Sequence, residues 1–355
     1  MKKKEKTYLC CEYGELSEDG KMKCMSFDNR NKDCECWKKG MMTNKMCSVE
    51  QANHAYNARV RKNLKTSEIV SVKSDSFAIR ENGIKRCGLF THYEIKDIPV
   101  YEKYSEIPKD TFDYIFIATK TTANSEIAKN LNNHKEILKD TTKIIIFQNG
   151  FGNDEAYLEY FTKDKVFSAR VITGFQRHER HISEVTVYTE PILLGSLQHE
   201  NPKPLKEIAD MITASGINCN ITNEIDRYLW AKMIYNCALN PLGTILNVNY
   251  GKLTENEYSI EIMDRIIDEI FEVIKVSGYS TLWNSSKEYK DIFYSKLVPD
   301  TYEHFSSTHQ DIQRKIKTEI DSLNGKVIEL GEKNNVDVSA NKLIYNLIKS
   351  IESDF

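Results

Sequence analysis

At 355 residues the chain exceeds the ~250–300 residues at which single hydrophobic cores stop growing, so two domains are expected. An apolar share of 40% beside 28% charged residues excludes wholesale disorder. Net charge is only −3, with Lys and Glu interleaved and no basic face, which excludes nucleic acid as a partner. No run reaches the ~18–20 apolar residues that span a bilayer, and no apolar stretch follows Lys2 to Lys6 as a signal peptide would require; no membrane partner and a cytoplasmic location are expected.

In chain order, the first segment is compositionally its own. Cys10, Cys11, Cys24, Cys34, Cys36 and Cys47 all fall within residues 1–47, but there is no C-x-x-C pair and no His before His54, so no metal is assigned. From about residue 66 the pattern becomes α/β. Residues 68–72 read as a short strand, 113–118 as a buried one, 122–131 as a helix and 143–147 as another buried strand. The turn Gln148 to Gly152 and a helix over 153–161 follow. Strands alternating with helices predict a doubly wound, Rossmann-like domain over residues 48–222. Residues 183–188 and 191–195, separated by a short turn, suggest an antiparallel pair at one side.

Beyond residue 222 the sheet pattern stops. Thr222 or Asn223 is placed to cap a helix through Leu239, and residues 223–355 read as an all-α domain. Ile260, Met263, Ile267, Ile270 and Ile274 make one apolar stripe, and Ile312, Ile316, Ile320, Leu323, Val327 and Leu330 a second. Lys232, Asn236 and Asn240 recur at every fourth residue of the first helix, which is otherwise apolar. Burying a lysine without partners is costly, so this stripe faces either a polar cleft or solvent. Farther on, Ser307 reads as a helix cap and Glu319 as a solvated residue beside the core position Ile320.

Two motifs carry a resemblance to the ketopantoate reductase family over residues 66–352. The form K-x-x-x-N-x-x-x-N-P is met by Lys232, Asn236, Asn240 and Pro241; S-S-x-x-Q-D-I followed by T-E-I-D-x-x-N-G is met by Ser306 to Ile312 and Thr318 to Gly325. Lys120 after a strand and the Gln148 to Gly152 turn match further family positions. The resemblance implies reduction of a branched, ketopantoate-like 2-keto acid by NADPH in pantothenate biosynthesis, on a helical domain similar to the C-terminal domain of 6-phosphogluconate dehydrogenase. It implies Lys232 and Glu319 as catalytic residues, Asn236, Asn240, Ser307 and Asn149 on the substrate, and Lys120 and Asn149 at the nicotinamide. It also implies a homodimer.

Two departures bear on this. A dinucleotide domain opens with strand, G-x-G-x-x-G and helix, so that main-chain N–H groups reach the pyrophosphate. Counted back without gaps from residues 68–72, those glycine positions fall at Gln51, Asn53 and Tyr56, so the first βα unit reads as degenerate and NADPH binding is expected to be weak. Lys73 is the candidate for a 2′-phosphate. Second, Tyr250 stands before Gly251 where some members carry Asn. The alternative to a reductase is a non-catalytic relative, a scaffold or metal-binding protein, that has lost its cofactor.

Overall fold

The structure, a computed structural model, describes residues 73–90 and 92–355 and, ahead of them, the short strands Gly14–Leu16, Lys21–Cys24, Cys47–Ser48 and Ile69–Val70. The first three of these strands pair as an antiparallel sheet, Gly14 opposite Cys24 and Lys21 opposite Ser48. Of residues 45–50, which lack the apolar run of a buried strand, only Cys47–Ser48 lie among the described residues. Cys10, Cys11, Cys34, Cys36, Gln51, Asn53 and Tyr56 lie outside the described residues.

The chain divides into two compact units. One comprises Met1–Val100, Arg177–Glu184 and Asp210–Asn218. In it a helix, Lys73–Asn82, ends at Gly83, whose φ of 71° and closeness to the Ile95 carbonyl leave no room for a Cβ. A hairpin unread in the sequence follows, Ile84–Gly88 against Tyr93–Ile95, with Arg86 stacked on the Tyr93 ring. Asp75 is held by Arg177 and Arg180, whose guanidinium groups keep its carboxyl below the ordinary range against the opposing pull of burial.

The second unit holds both the main sheet and the helical region. Its strands are β1 (Phe112–Ile117), β2 (Leu138–Ile146), β3 (Val166–Arg170), β4 (Ile192–Gly195) and β5 (Cys219–Ile221), ordered β5-β4-β3-β2-β1. β1, β2 and β3 run parallel; β4 is antiparallel to β3 and parallel to β5. After β1 comes helix α1 (Asn124–Asn133), whose Ala128 and Leu131 pack with Ile117, Ile144, Ile146, Tyr157 and Val166. This is the strand–helix alternation of a Rossmann-like domain.

Four sequence expectations change here. β1, expected to be buried on both faces, is the outer strand of this sheet among the described residues, and Phe116 is 42% exposed. β3 was not anticipated, although all of its residues are buried: its Ser and Arg break the apolar run by which buried strands are recognised. The helix expected over 153–161 contracts to α2 (Glu155–Leu158). Finally, residues 183–188 and 191–195 do not pair. The alternating strand Ile182–Tyr188 belongs to another sheet, whereas the continuous apolar run of β4 suits the central position it occupies.

The helical region starts with α3 (Ile225–Leu246), then α4 (Tyr250–Thr254), α5 (Glu257–Val276), α6 (Ser286–Ile292), α7 (Ser307–Gln313), α8 (Asn324–Lys333) and α9 (Ser339–Glu352). Neither Thr222 nor Asn223 caps α3; Glu224 occupies that position, and Thr222 Oγ1 accepts from its N–H instead. The helix runs past Leu239 and through Pro241, whose missing N–H costs the Cys237 carbonyl its helical donor. Met263, Ile267, Ile270 and Ile274 of α5 are buried as the stripe predicts. The second stripe is not one helix: α7 ends, Ile316 is 44% exposed, and a 3-10 turn over Ile320–Ser322 leads into α8.

Candidate active site

Helix α3 carries Lys232 into a narrow cleft lined by Asn149, Gly150, Arg170, Val171 and Asn236 among others. The Lys232 ammonium donates to the Val171 carbonyl, one residue past β3, at 2.5 Å and to Asn149 Oδ1 at 2.6 Å. Burial pushes its pKa down from 10.5 to about 8; the Glu319 carboxylate opposes the fall and the Arg170 guanidinium adds to it.

Asn149 is positioned by its turn. Gly150 has φ 99°, and a Cβ there would lie 2.5 Å from the Ser322 carbonyl, so glycine lets the turn dock on the segment before α8. The Phe151 N–H donates to that same carbonyl at 3.1 Å. Asn149 then spans two charged groups, accepting from Lys232 through Oδ1 and donating through Nδ2 to Glu319 Oε2 at 3.3 Å. The other Glu319 oxygen accepts from the Thr121 N–H at 3.4 Å. Glu319 is therefore not a solvated helix residue. It is 8% exposed and precedes a 3-10 turn, and burial raises its carboxyl above the ordinary value while Lys120 and the Asn149 and Thr121 donors pull it back.

Lys120 Nζ donates to Asp311 Oδ2 at 2.5 Å. Asp311 is buried, which raises its carboxyl, with Lys120 opposing the shift. The structure thus brings Lys120, Asn149, Lys232, Asn236 and Glu319 into one region. Asn240 sits a turn beyond Asn236, and its Oδ1 accepts from the buried Tyr250 hydroxyl at 2.6 Å. Ser307 is the first residue of α7 and exposed; the cap expected of it is supplied by Ser306, whose Oγ accepts from the His309 N–H at 2.9 Å. Side-chain placement at Lys73, the first residue of its helix, lies outside the description.

Sequence reasoning missed Asp311, Arg170 and the Val171 carbonyl. Asp311 stands inside the Ser306 to Ile312 motif and was legible there, whereas Arg170 and Val171 depend on β3. Among the described residues no group of three or more His, Cys, Asp or Glu side chains is arranged to hold a metal. For a nicotinamide the residues present offer the Asn149 amide, which bridges Lys232 and Glu319, and the Lys120 ammonium, which pairs with Asp311. The phosphate-cradle positions fall outside the described residues. No described helix is long and apolar enough to cross a membrane.

Two family models match the chain, ketopantoate reductase PanE/ApbA over residues 64–199 and its C-terminal region over residues 224–352. The chain is 37% identical over 272 residues to the 2-dehydropantoate 2-reductase of Aquifex aeolicus, covering 76% of this chain and 86% of that one. It superposes on a PanE/ApbA family ketopantoate reductase from Ralstonia eutropha with a TM-score of 0.71 at 21% identity, over 84% of this chain and 94% of the other. A ternary structure of D-mandelate dehydrogenase with NADH and anilino(oxo)acetate gives a TM-score of 0.72 at 20% identity, over 85% and 95%. At these identities the structural likeness speaks to the fold, and the sequence matches speak to descent: the chain belongs to the ketopantoate reductase family.

Proposed function

We propose that this chain is an NADP-dependent 2-dehydropantoate 2-reductase, reducing ketopantoate or a closely similar branched 2-keto acid to the 2-hydroxy acid for pantothenate synthesis. The observation that carries the reading is the Lys232 ammonium, enclosed in a cleft, held by Asn149 and the Val171 carbonyl, with its pKa lowered to about 8. We assign the substrate and cofactor domains to residues 223–355 and 48–222. A homodimer and a cytoplasmic location go with this assignment.

A dinucleotide held at its nicotinamide end by Lys120 and Asn149 would supply hydride to the keto carbon. Lys232 donates a hydrogen bond to the carbonyl oxygen and passes it a proton as negative charge develops, leaving a neutral amine that regains its proton from solvent. A pKa lowered to about 8 makes Lys232 a stronger acid toward the developing alkoxide than an ordinary lysine and lets its amine reload near neutral pH. Asn149 fixes the ammonium through Oδ1, so the donor is oriented before charge appears. Glu319 anchors the other end of Asn149 and contacts the substrate hydroxyl. Asn236 holds a substrate oxygen beside Lys232. Asn240, its Oδ1 engaged by Tyr250, offers Nδ2 to a second one, and Ser307 approaches from α7. Lys120 and Asn149 border the nicotinamide, and Lys73 is assigned to the 2′-phosphate.

The test is NADPH oxidation by the purified full chain with ketopantoate, 2-oxo-3-methylbutanoate and pyruvate compared. Saturable reduction with preference for the branched acids is expected. No reduction of any keto acid at saturating NADPH would sink the reading and favour a non-catalytic relative.

A further inference from the structure

The last residue of β3 is an arginine that the reaction scheme leaves without a task. Arg170 is 2% exposed and lines the same cleft as Lys232 and Asn236. Its Nη2 is 2.8 Å from Glu190 Oε2, and its guanidinium carbon lies 5.3 Å from the centre of the Tyr228 ring. Its Nε and Nη1 are buried and meet no hydrogen-bond acceptor. A guanidinium carries five N–H donors, and burying a charge with donors unspent is costly. An ion pair to a half-exposed glutamate accounts for Nη2 alone.

From this we infer that Arg170 is the carboxylate anchor of the cleft, taking the acid group of the keto acid through the donors that Glu190 leaves unused. The inference rests on the proposed reductase reading and deepens it. The geometry supports a division of labour. Lys232 donates to the carbonyl of Val171, the residue next to Arg170, so its ammonium lies against the segment that carries Arg170, near enough for the guanidinium charge to act on it. In a 2-keto acid the carboxylate is bonded to the carbon bearing the reacting oxygen, so substrate and cleft each hold two such groups side by side. Guanidinium suits planar carboxylate recognition better than an ammonium, which places Lys232 on the keto oxygen and Arg170 on the acid. Ser307, exposed at the start of α7, is then an auxiliary contact.

The test compares the wild type with Arg170→Gln and Arg170→Lys, using 2-oxo-3-methylbutanoate and its uncharged methyl ester, by steady-state kinetics and by calorimetric titration of the acid into the full chain with NADPH present. Loss of a charged hydrogen-bond partner should raise KM and Kd for the acid roughly 10- to 100-fold, with kcat and the ester's KM within about threefold of wild type. Equal effects on acid and ester would show a structural role and overturn the proposal, as would unchanged acid binding in both variants. If Arg170→Gln does not fold, Arg170→Lys keeps the charge and the packing on Tyr228, and a reduced preference for acid over ester remains the expected result. Removing the guanidinium should also move the alkaline limit of activity upward, because Arg170 helps depress Lys232. Should the wild type reduce neither compound, the reductase reading fails, while the titration still decides Arg170: acid bound by the wild type and lost in Arg170→Gln supports the anchor, and acid bound equally or by neither protein overturns it.

Discussion

Asn324 supplies the hydrogen-bond donor that Pro241 cannot. Proline at 241 leaves the Cys237 carbonyl without its helical N–H, and Asn324 Nδ2, from the start of α8, donates to that oxygen at 3.3 Å. The same amide donates to Asn341 Oδ1 at 3.0 Å, and Asn341 in turn donates to Glu269 Oε2 at 2.8 Å, so α3, α8, α9 and α5 are tied by one buried polar chain. Asn324→Leu should therefore destabilise the protein by about 1–3 kcal/mol in urea unfolding. Pro241→Ala restores the helical N–H, so the cost of losing Asn324 should shrink in the double variant. Strict additivity of the two substitutions would show that the pair is not coupled.

Lys232→Met retains most of the buried stem and removes the donor. Turnover should fall about 10²–10³-fold, equivalent to about 2.7–4 kcal/mol, with a much smaller change in KM. Because the proton-bearing form is the active one, wild-type turnover should be highest at neutral pH and decline as pH rises through about 8. A flat profile from pH 7 to about 10 would remove Lys232 from the proton-transfer role.

Lys232 also predicts the direction of a stability change. Its folded pKa lies below the ordinary 10.5, so between about 8 and 10.5 the unfolded chain holds the extra proton and this group's contribution to stability rises with pH across that window. Below about 8 the full burial penalty is present. Lys232→Met should abolish that contribution, which thermal unfolding of both proteins at pH 7 and pH 10 would measure; an unchanged difference between the two pH values would contradict it.

Glu319→Gln should separate stability from activity. The buried carboxyl titrates above its ordinary 4.5, so the native wild type loses stability as pH rises past that value, and a neutral amide escapes the penalty. At pH 7 the variant is expected to be more stable than the wild type, with the gain lost as pH falls below the ordinary 4.5, and to show a raised KM with reduced turnover. Ser307→Ala should raise KM more mildly. Wild-type kinetics in both variants would make the Ser306 to Ile312 and Thr318 to Gly325 motifs structural.

Cofactor affinity is expected to be low. In the proposed assignment Lys120 and Asn149 meet only the nicotinamide end, and an ungapped count back from residues 68–72 puts Gln51, Asn53 and Tyr56 at the sequence positions of the G-x-G-x-x-G glycines. Replacing residues 1–64 with a strand, G-x-G-x-x-G and helix should tighten NADPH binding at least tenfold by fluorescence titration, following a gain of two or more charge-assisted hydrogen bonds. Tight binding by the unaltered chain would reveal a phosphate site of another kind.

Local pattern alone identified the strands before residue 150 and the core stripe of α5 from their runs and spacing, whereas the two motifs were legible through their resemblance to a known family. Lys232, Asn236 and Asn240 were legible as a stripe from their spacing. Periodicity does not say what a face meets across the chain. The burial of Glu319, the Tyr250 hydroxyl on Asn240, the Lys120–Asp311 pair and the placement of β4 between β3 and β5 all join residues far apart in sequence. Arg170 shows the limit most sharply: a charged residue ending a strand reads as solvated, and only the packing of α3 over β3 encloses it beside Lys232 with donors to spare.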